Sequence, residues 1–538
     1  MPKLLIIGVD GGTLDLISPL ADSGRLPNLA RLMGDGAYGT LLSTIPPITA
    51  PAWVSFMTGK GPGKHGVFDF VAYRAGVSRA DSRIHSARSI ATTTLWQILS
   101  DHGRQLVVVN VPLTYPPSPV NGVMLSGLLV PGPRATFTSP PEVKDELERN
   151  GVGFAPDWNV RGTHAPIGSG KRRWLEAFQE AERKRHQGAL YLLRTHPWDC
   201  AAIVYTLTDR AQHLYWASRD CGNGGAPPTE ITSAYQSVDA MIGELRAAAP
   251  ADTTVLVLSD HGFGSVRRSF STSAFLSALG LLSVGAQRRR WGRARYPVAG
   301  LLSRLGMGGL VPALPTWMRN SRISMLLPRR QREIDWARTK AYPARWGICL
   351  NLIGREQHGT VAPGREYEEL RDRLIAELRG LPDPLTGEMA LASAWRREEV
   401  YRGPFVEQAP DIVFRMAAPD CLQSDQLGQA DLFFERSTGT HRLDGVFVLS
   451  GPQVSPGPAP TASIIDLAPT ILHLSGCPVP DSMEGRVMTQ CFRPEWLGRF
   501  PVRYQRESSE ATRITDSSPY TDEEEDRLKD HLRALGYL

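Results

Sequence analysis

Cysteine is sparse in this chain and poorly arranged for crosslinks. The six cysteines in 538 residues, Cys200, Cys221, Cys349, Cys421, Cys477 and Cys491, are widely spaced and include no C-x-x-C pair. That pattern fits reduced thiols better than a disulfide framework or a thiolate zinc site. Long apolar runs are missing as well. No stretch approaches the ~18 uninterrupted apolar residues that a bilayer span needs, so none is expected. The opening MPKLLIIGVDGG offers only the apolar run LLIIGV, broken by Asp10 and followed by no small-residue cleavage site. It does not read as a secretion signal, and a cytoplasmic location is expected. Charge of one sign is also lacking. The net charge of +5 is small for this length and gives no reason to expect a nucleic-acid partner. No internal repeats occur. What remains, 42% hydrophobic and 21% charged, describes an ordinary globular chain of several domains, or an α/β enzyme with inserts.

The chain is organised around Thr44 to Phe70, TIPPITAPAWVSFMTGKGPGKHGVFDF. Pro46, Pro47 and Pro51 each lack an N–H and restrict the residue before them, which excludes a regular helix or a central strand around Thr49. Past Pro51 the run AWVSFMTG predicts a helix, with Pro51 suited to its first turn. Thr49 then sits in an elbow just before a helix N-terminus, where backbone N–H groups and the dipole favour an anion. A hydroxyl held there is placed to attack a phosphate or to hold one. A lone Thr in that position is more often a helix cap. The other motifs overturn that.

Leu4–Val9, Gln105–Asn110, Ala201–Tyr205 and Thr253–Ser259 are the apolar runs that buried parallel strands show. LSGLLVPG from Leu125 is a candidate edge, and APDIVFRM and Val446–Ser450 supply later strands. Helical patterns over Thr93–His102, Trp174–Thr195, Tyr235–Ala249, Tyr367–Arg379 and Ser463–Ser475 alternate with them. The expected fold class is α/β, with a mostly parallel central sheet. Acidic and imidazole residues gather where these strands end, which is where open α/β sheets bind ligands. Asp10 ends the first strand. Asp209 and His213, four apart beyond the third, share one side of a helical turn as a ligand pair needs. Asp260-His261-Gly262-Phe263-Gly264 follows the fourth, with glycines that allow close backbone approach. His441 lies in a polar loop before Val446. Alone, each has a plain reading: a turn residue, a chance surface pair, a loop histidine.

Together they make two sets of three O/N ligands with open positions, as catalytic zinc requires. Two metals ~3.5–4 Å apart clamp the attacking and the leaving oxygen of an in-line phosphoryl displacement. A Thr alkoxide directed at one of them is the activated nucleophile.

These motifs resemble the alkaline phosphatase superfamily, in its type I phosphodiesterase/nucleotide pyrophosphatase branch. The resemblance rests on VDGG, PPITAPAWVSFMTGKGPGKHGVFDF, the D-x3-H of Asp209 and His213, SDHGFG and THRLDG. It extends to SIIDLAPTILHLSGCPVPDSMEGR and covers about residues 3–490. It implies a three-layer alkaline-phosphatase-like fold with helices on both faces of the sheet and an inserted cap. It implies two divalent ions, zinc with manganese as the alternative: one held by Asp209, His213 and His441, the second by Asp10, Asp260 and His261. Thr49 would be the nucleophile, forming a covalent phosphothreonine. Two positions depart from the pattern. Nucleotide pyrophosphatases carry an Asn three residues after the nucleophile, and here that residue is Ala52. Alkaline phosphatases proper carry a Glu five residues before the Asp of the D-x3-H pair, where it binds a third, magnesium ion. Here it is Val204.

The expected organisation is a catalytic core in two parts, 1–264 and 336–500, interrupted by a cap at 265–335. A linker at 501–520 and a C-terminal helix at 521–538 follow, the helix opened by the capping-box spacing of Thr521 and Glu524. The cap holds the basic run QRRRWGRAR and an apolar, Gly- and Pro-rich stretch. That run meets a phosphorylated or membrane-surface substrate, or is simply a solvated rim. The expected substrate is a phosphoester, either a small molecule or a lipid headgroup. A sulfatase is set aside because Thr49 cannot be oxidised to formylglycine. The alternatives kept are a cofactor-independent phosphomutase, which uses Ser and usually manganese, and a non-catalytic interaction protein on the same fold.

Overall fold

Ten strands build the main sheet: β1 (Leu4–Val9), β2 (Ala37–Leu42), β3 (Leu106–Val109), β4 (Gly122–Leu125), β5 (Thr138–Ser139), β6 (Cys200–Tyr205), β7 (Thr254–Leu258), β8 (Asp444–Ser450), β9 (Gly457–Pro458) and β10 (Ala462–Ser463). The computed structural model that shows them describes residues 2–72, 82–156, 169–216, 227–285, 288–291, 328–331, 334–507, 518–535 and 537. Strands β7-β1-β6-β3-β4 run parallel in that order. β8 joins antiparallel to β7 and β2, and β5 antiparallel to β4. β1, β3, β6 and β7 are buried at every residue. A strand covered on both faces needs apolar side chains throughout, which explains continuous runs rather than alternation.

Register decides where the chemistry emerges. Val9 pairs with Tyr205, and Gly8 pairs with both Val204 and Leu258. The carboxyl ends of β1, β6 and β7 are therefore level, and the loops that follow them open side by side. Gly8 has a second role. A Cβ there would lie 2.4 Å from the Trp53 ring and 2.9 Å from Val204 Cγ2. Only the missing side chain lets the Trp53 indole reach β1. Trp53 belongs to the helix Thr49–Thr58, all ten residues of which are buried. Each large apolar side chain so covered contributes about 1.5–3 kcal/mol. This helix is thus seated on the strand that delivers Asp10.

Two groups of helices accompany the sheet. Thr49–Thr58 contacts Leu95–Asp101 and Leu467–Leu474, while Pro27–Asp35, Ser169–Thr195, Leu207–Tyr215 and Thr229–Ala248 contact one another as a chain of neighbours. Three details differ from the sequence expectation. The helix after the Pro-rich elbow starts at Thr49, so Pro51 falls in its first turn, where an N–H has no intrahelical partner to lose. The strand near Leu125 ends there rather than beginning there, since LSGLLVPG leads into turns. His441 lies within the strand Phe433–Arg442 and not in a loop.

The chain divides into two compact units: Met1–Ser269, Arg373–Leu422 and Glu435–Leu538 form the first, Phe270–Asp372 and Gln423–Phe434 the second. The first holds the main sheet and every candidate site residue. In the second, Ala341–Ala344 and Gly347–Leu350 pair as an antiparallel hairpin, and Arg288–Trp291 pairs antiparallel with Pro328–Gln331. The apolar stretch 298–318 and residues 508–517 of the linker at 501–520 lie outside the described residues. No described helix is long and apolar enough to cross a membrane.

Candidate active site

Asp10 is the first residue past β1. Its N–H bonds the Tyr205 carbonyl at 2.9 Å, and its own carbonyl accepts from the Thr208 hydroxyl at 2.5 Å. Gly11 follows in the left-handed region, with φ +68. A Cβ on it would approach Asp209 Oδ1 to 3.1 Å and Gln212 Nε2 to 3.0 Å, so glycine satisfies both the turn and the close approach. Beyond β6, the helix Leu207–Tyr215 carries Asp209 and His213 one turn apart. Its N-terminus is held by a residue that sequence reading missed. Glu182, fully buried, accepts from the N–H groups of Thr206 at 2.6 Å and Leu207 at 3.1 Å, and it pairs with buried Arg185. A carboxylate on the first N–H groups stabilises the helix start through hydrogen bonds and the dipole.

Past β7 come Asp260 and His261, then the strand Gly262–Ser271. His441 arrives from the strand Phe433–Arg442, just before β8. The six residues converge. His261 Nε2 is 3.6 Å from Asp10 Oδ1 and 3.2 Å from Asp260 Oδ2. Asp209 Oδ1 is 3.4 Å from Nε2 of both His213 and His441. The His261 and His441 rings stack at 3.6 Å, which links the two groups. Thr49 Oγ1 lies 3.1 Å from His261 Nε2. Asp10, Asp209, Asp260, His261 and Thr49 are at most 1% exposed, and His441 8%.

Such a cluster is electrostatically expensive without a cation. Burial, then repulsion from Asp260 and Asp209, pushes the Asp10 carboxyl well above its ordinary range, and the Arg210 guanidinium offsets only part of this. Burial and Asp209 push Asp260 up likewise. Burial would also raise Asp209, yet the imidazoles of His213, His441 and His261 hold it well below. Burial and the neighbouring His441 depress His261.

The donor atoms fit divalent ions. Asp10 Oδ1, Asp209 Oδ1 and Asp260 Oδ2 are buried and accept no hydrogen bond, a costly state unless something else meets them. His261 Nδ1 faces the Gly262 carbonyl and His441 Nδ1 the Pro47 carbonyl, both at 3.1 Å. A carbonyl only accepts, so each Nδ1 carries the proton and each Nε2 turns a lone pair inward. Among the described residues, two groups have ligand atoms all within 4.8 Å of one another: Asp209, His261 and His441, and Asp10, Asp260 and His261. Mixed carboxylate and imidazole donors suit zinc or manganese. The first group contains His261 where the motif implied His213. His213 adjoins it all the same, with its Nε2 2.9 Å from His441 Nε2.

Tyr537 also reaches this cluster. Its hydroxyl donates to Asp209 Oδ2.

Residues 4–430 match the family model for type I phosphodiesterase / nucleotide pyrophosphatase. The chain belongs to that family, the branch of the alkaline phosphatase superfamily its motifs resemble, and is a hydrolase acting on ester bonds of phosphate. Among solved structures it is similar to phosphonoacetate hydrolase from Sinorhizobium meliloti 1021, in complexes with phosphonoformate and with phosphonoacetate. Each comparison gives 15% identity and a TM-score of 0.47, covering 87% of this chain and 94% of that one. No curated protein matches the sequence.

Proposed function

We propose that the chain is a two-metal phosphodiesterase in which Thr49 attacks phosphorus and forms a covalent phosphothreonine. The observation that carries this reading is the position of Thr49 Oγ1, 3.1 Å from His261 Nε2, beside buried carboxylate oxygens that no protein donor satisfies. Asp10, Asp260 and His261 would hold one ion, and Asp209, His213 and His441 the other, zinc with manganese as the alternative. The chemistry such ions supply is neutralisation of charge on the attacking and departing oxygens.

The chain's own residues do the remainder. The helix that starts at Thr49 fixes Oγ1 against the cluster, and its rigid seat on β1 keeps the hydroxyl from swinging away. The Thr49 O–P bond forms as the bond to the leaving oxygen breaks; the hydroxyl gives up its proton, the leaving oxygen departs as the alcohol, and the second ester group stays on phosphorus. Water then attacks phosphorus, breaks the Thr49 O–P bond and returns the hydroxyl. Ala52 offers no donor to a non-bridging oxygen, so backbone N–H groups at the helix start take that part.

The substrate class is a phosphodiester of a small molecule or of a lipid headgroup. The test is an acid quench during turnover of a bis(nitrophenyl) ester by zinc- and manganese-loaded protein, followed by peptide mass spectrometry. A nitrophenyl-phosphoryl adduct on the peptide containing Thr49 is expected. Turnover with no adduct, under conditions where the second step is slowed, would favour direct attack by water. Loaded protein that cleaves no diester at all would favour the non-catalytic interaction protein.

A further inference from the structure

The helix Asp522–Leu535 is docked at several independent points. Thr521 and Glu524 form the capping box expected from their spacing, Thr521 N to Glu524 Oε2 at 2.9 Å and Glu524 N to Thr521 Oγ1 at 3.3 Å. Just before it, the Tyr520 ring stacks on Tyr115 at 5.6 Å, and its hydroxyl donates to the Leu129 carbonyl. Glu525 Oε1 accepts from the Ile84 N–H, while Leu528, Leu532 and Leu535 are buried. Past the helix the Tyr537 N–H returns to the Leu532 carbonyl at 2.9 Å, which folds the chain back on itself.

That fold-back buries Tyr537 to 1% exposure in the middle of the ligand cluster. Its ring meets His213 edge-on at 5.4 Å and His441 at 5.7 Å, packs on Phe70 at 5.0 Å, and lies 5.0 Å under the Arg210 guanidinium. The two oxygens of Asp209 are thereby divided. Oδ1 faces the Nε2 atoms of His213 and His441, and Oδ2 takes the Tyr537 hydroxyl. The phenol hydroxyl donates and the carboxylate oxygen accepts, so Oδ2 is held and Oδ1 is left to the imidazoles. An outer hydrogen bond of this kind fixes which oxygen of a ligating carboxylate faces the ion.

We propose that Tyr537 is a positioning residue of the Asp209–His213–His441 site, and that docking of Tyr520, the helix Asp522–Leu535 and Tyr537 is required for tight metal binding there. The inference rests on the two-metal reading above. Partners of this rank change metal affinity by about 10–100-fold, and an effect of that size is expected on one ion only.

The test titrates metal-free full-length protein with cobalt(II), following the d–d absorption bands and competing with a chelator. Wild type should take up two ions. Tyr537→Phe keeps the ring contacts and loses only the hydroxyl. It should weaken one of the two ions by 10–100-fold with altered bands, leave the other within about threefold, and leave metal-free thermal unfolding unchanged. Both affinities and both spectra unchanged in Tyr537→Phe would overturn the inference while leaving the two-metal reading intact. Wild type that takes up no cobalt would overturn that reading itself. Should Tyr537→Phe fail to fold, Tyr520→Ala loosens the segment from outside the site. The same single ion must then weaken, and unchanged affinities in a variant with a proteolytically exposed segment count against the inference.

Discussion

His213 Nε2 and His441 Nε2 face each other at 2.9 Å across 228 residues of sequence. The His441 Nε2 is a lone pair, because its Nδ1 hydrogen points to the Pro47 carbonyl. Asp209 Oδ1, a second acceptor, stands 3.4 Å from both nitrogens. Acceptors gathered this closely repel unless a cation lies among them. The same holds around His261, where Asp10 and Asp260 each turn an unpartnered oxygen inward. Both groups gather acceptor atoms where a cation would be held.

Elemental analysis after gentle purification should therefore find close to two transition-metal ions per chain. His441→Ala removes a ligand that Asp209 and His213 cannot replace, so one ion should be lost and the other kept. Metal content below one with activity intact would contradict the two-metal mechanism.

Thr49→Ala should lower kcat by at least about a thousandfold, ~4 kcal/mol of transition-state stabilisation, while metal content stays at two. Thr49→Ser should keep part of the activity, since the hydroxyl remains. The controls are Thr44 and Thr58, whose hydroxyls bond the Pro46 and Val54 carbonyls, both at 2.7 Å, and which are not part of the ligand cluster. Near-wild-type diester hydrolysis by Thr49→Ala would favour direct attack by water.

The Asp209 helix depends on a buried ion pair. Glu182→Gln leaves Arg185 buried without its carboxylate, which costs about 3–5 kcal/mol, and it weakens the acceptor on the N–H groups of Thr206 and Leu207. Denaturant unfolding of the metal-free protein reads this loss. Glu182→Gln combined with Arg185→Met should recover more than half of it, because the orphaned charge is gone. A single-variant loss below about 1 kcal/mol would show that water reaches the pair.

The strand ends were legible because strands buried on both faces leave continuous apolar runs, and the residues that stop them are polar by contrast. Asp10, Asp209 and Asp260 stand out for that reason. The pairing of Phe433–Arg442 as a strand was not legible, since THRLDG is made of turn-forming residues and only its neighbours in space hold it extended. Glu182 sits in a run of charges, EAERKRH, that looks fully solvated in a helix of 27 residues. Its burial comes from what packs on the helix, not from periodicity. Tyr537 was out of reach for a similar reason. Its partner Asp209 is 328 residues away, and a lone Tyr beyond a helix carries no local sign of a ligand cluster. The capping box at Thr521, by contrast, is a local device and was visible at once.

Substrate preference follows from Val204. The residue lies at the end of β6, 2% exposed and packed towards Gly8, where the resemblance would place a Glu for a third ion in alkaline phosphatases proper. A monoester carries one more negative charge than a diester, and cations around the non-bridging oxygens stabilise that charge in the transition state. With an apolar side chain at 204, no carboxylate is available there to recruit another cation, and the extra charge is poorly compensated. A diester brings less charge and one more group, and binding that group away from phosphorus lowers the barrier where it is realised in the transition state. Phosphodiesters should therefore have the higher kcat/KM. The comparison is bis(nitrophenyl) phosphate against the monoester at equal metal content. A tenfold monoester advantage, ~1.4 kcal/mol, would show that another residue supplies the missing positive charge, with buried Arg210 the first to substitute.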